Sequence, residues 1–296
     1  MSTSYSKLKI WLLAIRPKTL WAAVAPVFIG TAMACEAGSF QLLAFLAALF
    51  GGTMIQIGTN LANDFFDFKK GADAQRELGP VRVTQAGLVT AREIKTAMVL
   101  AFSLAFLAGI YLVFLGGWPI VAIGILSITF GVLYTATKLA LGYTGLADFF
   151  VLLFFGPVAT GGTFYVQTLE INIAVILAGL APGLFSVAIL TVNNLRDIET
   201  DKIAGKKTLA VRFGATFAKA EYVFAITAAT LVPFILYLTT NEHAEATIAA
   251  AVILLAYRPV RKVLGSKDGI ELNSVLVQTA QTLLLYSLLF SIGWLL

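Results

Sequence analysis

Long apolar runs broken by short polar connections dominate this chain, and the runs set its architecture. A bilayer core of about 30 Å needs roughly 20 consecutive apolar helical residues. Nine stretches approach that length: Leu20 to Met33, Gln41 to Leu61, Ile94 to Leu115, Pro119 to Thr135, Gly145 to Val166, Ile171 to Asn193, Phe217 to Leu238, Ala246 to Tyr257 and Ser274 to Leu296. The first and eighth are the shortest. The runs are continuous rather than alternating with period two, which excludes an outer-membrane barrel and predicts an all-α integral membrane protein with nine crossings.

Composition agrees with that pattern. The 296 residues are 59% hydrophobic and 12% charged, with a mean hydropathy of +0.88, far from a soluble domain. No basic n-region, short apolar stretch and small-residue cleavage site opens the chain, so no cleaved signal is expected and the mature chain is expected to begin at Met1. A single cysteine, Cys35, and a single histidine, His243, leave no basis for disulfide or zinc chemistry.

The net charge of +5 changes the picture through its placement. With nine crossings, all 21 Lys and Arg residues fall in the loops of one side, while the opposite loops carry Glu36, Glu170, Glu242, Glu245 and His243. By the positive-inside rule the basic side is cytoplasmic, so the N-terminus is inside and the C-terminus outside. The excess of cations thus reports membrane topology, and no nucleic-acid partner is expected.

Both long cytoplasmic loops, after the second and sixth runs, begin with carboxylates at helical spacing. Asn60, Asp64 and Asp67 stand at i, i+4 and i+7, with Gly71 placed to end the helix. Asn193, Asp197 and Asp201 stand at i, i+4 and i+8, again on one face. Stacked acids at a membrane boundary repel one another and lose solvation, so a cation must offset them. Hard oxygen donors from Asp and Asn suit Mg²⁺, which commonly shares its shell with substrate phosphates. Asp73, beyond the glycine, and Glu199, facing away from Asp197, stay open between ligand support and surface acid. Basic residues interleave with the acids, which a bare cation site does not need. Lys70, Arg82, Lys138, Arg196, Lys202, Lys206 and Lys207 are therefore candidates to meet diphosphate oxygens, although topology alone also places them there. Tyr134 and Lys138, at i and i+4, share a face at the end of the fourth run; Tyr134 serves equally as a site group or an interfacial anchor. Asp148, at the start of the fifth run, is expected to find a basic partner from the cytoplasmic side.

At these residues the chain resembles the intramembrane aromatic prenyltransferases of the UbiA superfamily, over essentially its full length. The superfamily's N-D-x-x-D and D-x-x-x-D motifs correspond here to Asn63-Asp64-Phe65-Phe66-Asp67, with Asp73 downstream, and to Asp197-Ile198-Glu199-Thr200-Asp201. Arg16-Pro17-Lys18-Thr19-Leu20, the run from Gly79 to Gly87, Phe155-Gly156-Pro157 and Asn193-Asn194-Leu195-Arg196-Asp197 are similar to the 1,4-dihydroxy-2-naphthoate polyprenyltransferases of menaquinone synthesis. Glu is frequent in that group where Asp148 stands.

The resemblance implies one intramembrane domain over residues 1–296, nine helices around a central cavity open to lipid, and a bacterial cytoplasmic-membrane location with the site facing the cytoplasm. It implies Mg²⁺-dependent transfer of a polyprenyl group from an all-trans polyprenyl diphosphate to 1,4-dihydroxy-2-naphthoate, with loss of carboxylate, giving demethylmenaquinone. Asn60, Asp64, Asp67, Asn193, Asp197 and Asp201 would hold metal, the four aspartates being catalytic. Lys138, Arg196, Arg82 and Lys70 would meet the diphosphate, and Tyr134, Arg82 and Gln85 the acceptor's polar groups. A 4-hydroxybenzoate or other phenolic acceptor is the alternative within the class. An ion-coupled secondary transporter is the alternative outside it, although such sites lie near the midplane on broken helices.

Overall fold

In the computed structural model, residues 5–71, 79, 81–134, 136, 141–266 and 269–296 are described. The chain is 85% helical, with no strand among the described residues. The elements are α1 (Lys7–Ile15), a 3₁₀ turn (Pro17–Thr19), α2 (Trp21–Glu36), α3 (Leu42–Lys70), α4 (Ala91–Gly116), α5 (Trp118–Leu133), α6 (Leu141–Thr144), α7 (Ala147–Leu153), α8 (Ala159–Thr168), α9 (Ile173–Arg196), α10 (Ile198–Ile203), α11 (Leu209–Thr240), a 3₁₀ helix (Ala244–Val252), α12 (Ile253–Gly265) and α13 (Gly269–Leu295).

Six of these are long and apolar enough to cross a bilayer: α3, α4, the run Ala147–Thr168, α9, α11 and α13. The pair Lys7–Thr19 and Trp21–Glu36, bent by 47°, makes seven if it forms one broken span. The other two expected spans are shorter. Trp118–Leu133 has 16 residues. The expected span Ala246 to Tyr257 divides between a 3₁₀ helix and α12, which carries Arg258, Arg261 and Lys262 on its last turns. Basic residues there cut the apolar run, and Trp118–Leu133 falls short by length, so among the described residues helix length alone gives six or seven spans where the hydropathy pattern gave nine.

The helix ends follow from local chemistry. Thr90 and Glu93 form a reciprocal capping box that starts α4, while Asn172 and Thr208 accept the first free N–H groups of α9 and α11. Gly71 takes a left-handed conformation at φ 68° and closes α3 four residues after Asp67, its last buried residue.

Packing divides the molecule into a dense half and a hollow half. Helices α2, α9, α11 and α13 bury Ile29, Phe185, Tyr222, Leu283, Tyr286 and Phe290 against one another, with the Tyr222 hydroxyl 2.8 Å from Thr279 Oγ1. Between α7 and α8 the chain kinks at Phe154–Val158 around Pro157. Close approach to α9 requires the glycine in that kink, because a Cβ on Gly156 would lie 2.6 Å from the Gly179 carbonyl oxygen. Opposite, α3, α4 and α5 stand away from this core and enclose a cavity of about 1130 Å³.

Candidate functional site

The mouth of the cavity is framed by Asn60, Asn63, Arg82, Asn193 and Arg196, and apolar side chains line its depth. Both acidic clusters therefore sit on helices that end at this mouth, one on α3 and one at the α9–α10 junction.

On α3 the helical spacing turns Asn60, Asp64 and Asp67 inward, leaving them 4%, 2% and 2% exposed. Asn60 Nδ2 donates to the Ile15 carbonyl at 2.9 Å and to Thr19 Oγ1 at 3.0 Å. Those bonds consume both amide hydrogens and tie α3 to the corner between α1 and the 3₁₀ turn, while Oδ1 keeps its lone pairs. Arg16 stands at that corner with a positive φ of 52°. It lines the cavity and is close enough to act on the Asp64 charge. Asp64 Oδ1 is buried with no hydrogen-bond partner among the described residues. Asp67 lies 3.5 Å from an Arg82 nitrogen and accepts a long bond of 3.4 Å from the Tyr143 hydroxyl. Arg82 owes its position to a tight turn: buried Val83 anchors it, and Ala86 N–H bonds back to the Arg82 carbonyl at 2.9 Å.

At the second cluster α9 stops at Arg196, but helical bonding continues through Asp197. The Asp197 N–H reaches the Asn193 carbonyl at 3.2 Å, and the Asp201 N–H reaches the Asp197 carbonyl at 2.8 Å. The three residues thus keep one face across the junction. Arg196 is fully enclosed. Its Nε and Nη2 donate to the two Asp197 oxygens at 2.8 and 2.7 Å, its Nη1 to Asn273 Oδ1 at 2.8 Å, and Nη2 also to Asn193 Oδ1 at 2.5 Å. The guanidinium expected to meet substrate is instead committed to the cluster's own oxygens. Lys206 Nζ pairs with Asp201 at 3.0 Å. Glu199 pairs with Lys202 in solvent, away from the cavity.

Tyr143, on α6, joins the clusters. Its ring lies 4.5 Å from Lys70 Nζ and 5.3 Å from Lys206 Nζ, cation–π distances on a group whose hydroxyl reaches Asp67. Backbone bonds hold it there: Lys207 N–H to the Tyr143 carbonyl at 3.0 Å and Arg212 Nη2 to the Thr144 carbonyl at 2.7 Å. Nothing in the sequence pattern marks Tyr143, because its bridging place depends on a tertiary contact between the loops after α5 and α10.

Other expected residues divide. Tyr134 caps α5 and lines the cavity, where its phenol can donate a hydrogen bond. Gln85 is exposed on the turn after Arg82 and does not line the cavity. Asp148 is buried, and neither carboxylate oxygen has a hydrogen-bond partner among the described residues. The expected basic partner is absent there; Asp148 lies in the first turn of α7, where the helix dipole supplies positive potential instead. Asp73 and Lys138 lie outside the described residues.

Among the described residues no three His, Cys, Asp or Glu side chains converge as a ready-made metal cage. The donors nonetheless fit a hard divalent ion: carboxylates and amide oxygens around one mouth, with the Asp64 Oδ1 atom buried and unanswered.

The sequence model of the UbiA prenyltransferase family matches residues 23–271. The chain is 36% identical to the 1,4-dihydroxy-2-naphthoate octaprenyltransferase of Haemophilus influenzae, covering 97% of this chain and 96% of that protein. It is 33% identical to the protein of the same name from Bacillus subtilis, covering 96% and 91%. Among solved structures, a UbiA homolog from Archaeoglobus fulgidus bound to GPP and Mg²⁺ superposes with a TM-score of 0.70 at 15% identity, covering 97% of this chain and 99% of that one. A UbiA homolog from Aeropyrum pernix K1 gives 0.66 at 16%, covering 90% and 97%. At those identities the superpositions speak for the membrane fold.

Proposed function

The chain belongs to the UbiA prenyltransferase family, and from that premise we propose how its site works. It is a multi-pass membrane prenyltransferase that transfers a polyprenyl group from a polyprenyl diphosphate to 1,4-dihydroxy-2-naphthoate, with loss of carboxylate. The observation that carries this reading to the residues is the juncture at Tyr143, where acids and cations of both clusters meet beside one apolar cavity.

On this reading Asn60, Asp64, Asp67, Asn193, Asp197 and Asp201 hold Mg²⁺. When bound, the ion neutralises diphosphate charge and makes it a better leaving group. Arg82 and Lys70 meet diphosphate oxygens from the first cluster, and Lys206 does so from the second. Arg196 acts through Asp197 and Asn193, fixing their oxygens toward the mouth rather than touching substrate. Lys138 stays a proposed diphosphate contact and Asp73 a proposed ligand support. Tyr134, protonated, donates a hydrogen bond to the acceptor or the departing diphosphate. Arg82 also reaches toward the acceptor, whereas the exposure of Gln85 favours a role in shaping the turn. The apolar cavity takes the prenyl chain and keeps water from the allylic carbon, so the naphthoate ring is the nucleophile that carbon meets.

The same reading takes residues 1–296 as one domain with nine crossings, the two short helical segments included. It places the N-terminus and the site on the cytoplasmic side of a bacterial cytoplasmic membrane, supported by the one-sided distribution of all 21 basic residues. Purified protein given an all-trans polyprenyl diphosphate and Mg²⁺ should prenylate 1,4-dihydroxy-2-naphthoate and release diphosphate. Product from 4-hydroxybenzoate and none from the naphthoate would overturn the acceptor assignment.

A further inference from the structure

Resting on the prenyl-transfer reading, we propose that Gln56 binds the aromatic acceptor and sets its orientation. Gln56 lies on α3 one turn outward of Asn60, is 9% exposed, and lines the cavity. Neither end of its amide makes a hydrogen bond among the described residues. Two other polar side chains that line the cavity are satisfied within their own helices: Thr163 donates to the Ala159 carbonyl and Ser186 to the Pro182 carbonyl, each at 2.8 Å. A primary amide left open toward an apolar cavity inside a membrane span is costly, and a polar ligand in the cavity relieves the cost.

The chemistry of the amide selects among the ligands this cavity takes. A prenyl tail is hydrocarbon and has nothing to offer either end. The diphosphate is met by Arg82, Lys70 and Lys206, and a neutral amide set roughly 5 Å further in adds little to that grip. An aromatic acceptor has ring hydroxyls to donate to the amide oxygen, and hydroxyl or carboxylate oxygens to accept from its NH₂ group.

The surroundings at this depth suit a flat ring. A Cβ on Gly131 of α5 would lie 2.6 Å from Thr59 Oγ1, so α5 crosses close to α3 just inside the mouth. Next to Gly131, Phe130 packs against Phe150 at 4.5 Å and Phe154 at 5.2 Å between ring centroids, and all three line the cavity. A planar acceptor against this aromatic wall presents its edge to α3, where Gln56 stands one turn below the metal-binding oxygens.

The test compares wild type with Gln56→Leu and Gln56→Met, which keep side-chain bulk and remove the amide. Michaelis constants for 1,4-dihydroxy-2-naphthoate and for the polyprenyl diphosphate are measured in detergent-purified protein. Inhibition constants are measured for naphthoates lacking one or the other ring hydroxyl. The expected result is an acceptor KM raised about 10-fold, a donor KM and Mg²⁺ dependence within twofold of wild type, and weaker discrimination against the analogue missing the bonded hydroxyl. Folding of either variant suffices, and Gln56→Asn provides partial rescue. An unchanged acceptor KM with unchanged discrimination overturns the proposal, as does a rise confined to the donor KM. Wild-type protein that prenylates no naphthoate defeats the functional reading itself, an outcome distinct from either variant result.

Discussion

Arg196 grips the neighbouring Asp197 through two parallel hydrogen bonds of 2.8 and 2.7 Å, with both groups sealed from solvent. Adjacent residues on a helix point about 100° apart, and the pair forms at the junction where α9 ends and Asp197 caps it. The planar fork also reaches Asn193 and Asn273, linking the acidic cluster to α13. Replacement by lysine keeps the charge and loses the fork. Arg196→Ala should cost about 3–5 kcal/mol of stability by removing the cation bonded to both oxygens of buried Asp197, and Arg196→Lys should fall between it and wild type. Thermal unfolding in detergent checks this; a melting temperature unchanged in both variants refutes the clamp.

Tyr143 tests whether the two clusters act as one site. Its hydroxyl bond to Asp67 is long at 3.4 Å, whereas its ring faces two ammonium groups. Exposed cation–π contacts contribute about 0.5–1 kcal/mol each, more than such a stretched hydrogen bond. Tyr143→Phe should therefore keep donor KM within about threefold, and Tyr143→Ala should raise it by about 10-fold as Lys70 and Lys206 lose their common support. Equal losses in the two variants would show that the hydroxyl matters and the ring does not.

Much of this arrangement is legible in the sequence, because apolar runs and helical spacing are local properties. Asn60, Asp64 and Asp67 share a buried face as their i, i+4, i+7 positions require, and Gly71 ends the helix as its conformational freedom allows. What pattern reading misses depends on contacts between distant segments. The hydrogen bond from Arg196 to Asn273, 77 residues away, has no sign in the sequence. Asp148 is placed at the start of the fifth run by the sequence, but whether a cytoplasmic side chain or only the first turn of α7 faces it is a matter of tertiary packing. Gln56 is hidden inside an apolar run, where one polar letter barely changes the hydropathy.

Asp64 separates metal chemistry from folding. Its Oδ1 atom is buried and unanswered, so replacing the side chain by alanine removes a desolvated charge and leaves no broken hydrogen bond at that atom. Asp64→Ala gives up the Thr84 backbone hydrogen bond and the attraction of Arg16 but no clamp like that of Arg196, so it should lower the melting temperature only slightly while abolishing Mg²⁺-dependent diphosphate release. Asp197→Ala should abolish release too, but with lower stability, because it strands the Arg196 guanidinium. Full activity in either variant would falsify the metal assignment.

The orientation rests on charge counting, and Cys35 provides a direct check. It is the sole cysteine of the sequence, is exposed, and lies in the last turn of α2 next to Glu36. If the N-terminus is cytoplasmic, α2 runs outward and carries Cys35 to the face opposite both aspartate clusters. A membrane-impermeant maleimide should then label intact cells or spheroplasts expressing the wild-type chain. The counterpart variant, Cys35→Ala with Ser266→Cys, moves the thiol to the residue that ends α12 beside Lys219. That variant should react only after the membrane is opened. Labelling of the second variant in intact spheroplasts, with Cys35 protected, would invert the protein in the membrane. It would also put the acidic clusters on the side where the positive-inside rule expects none of the 21 basic residues.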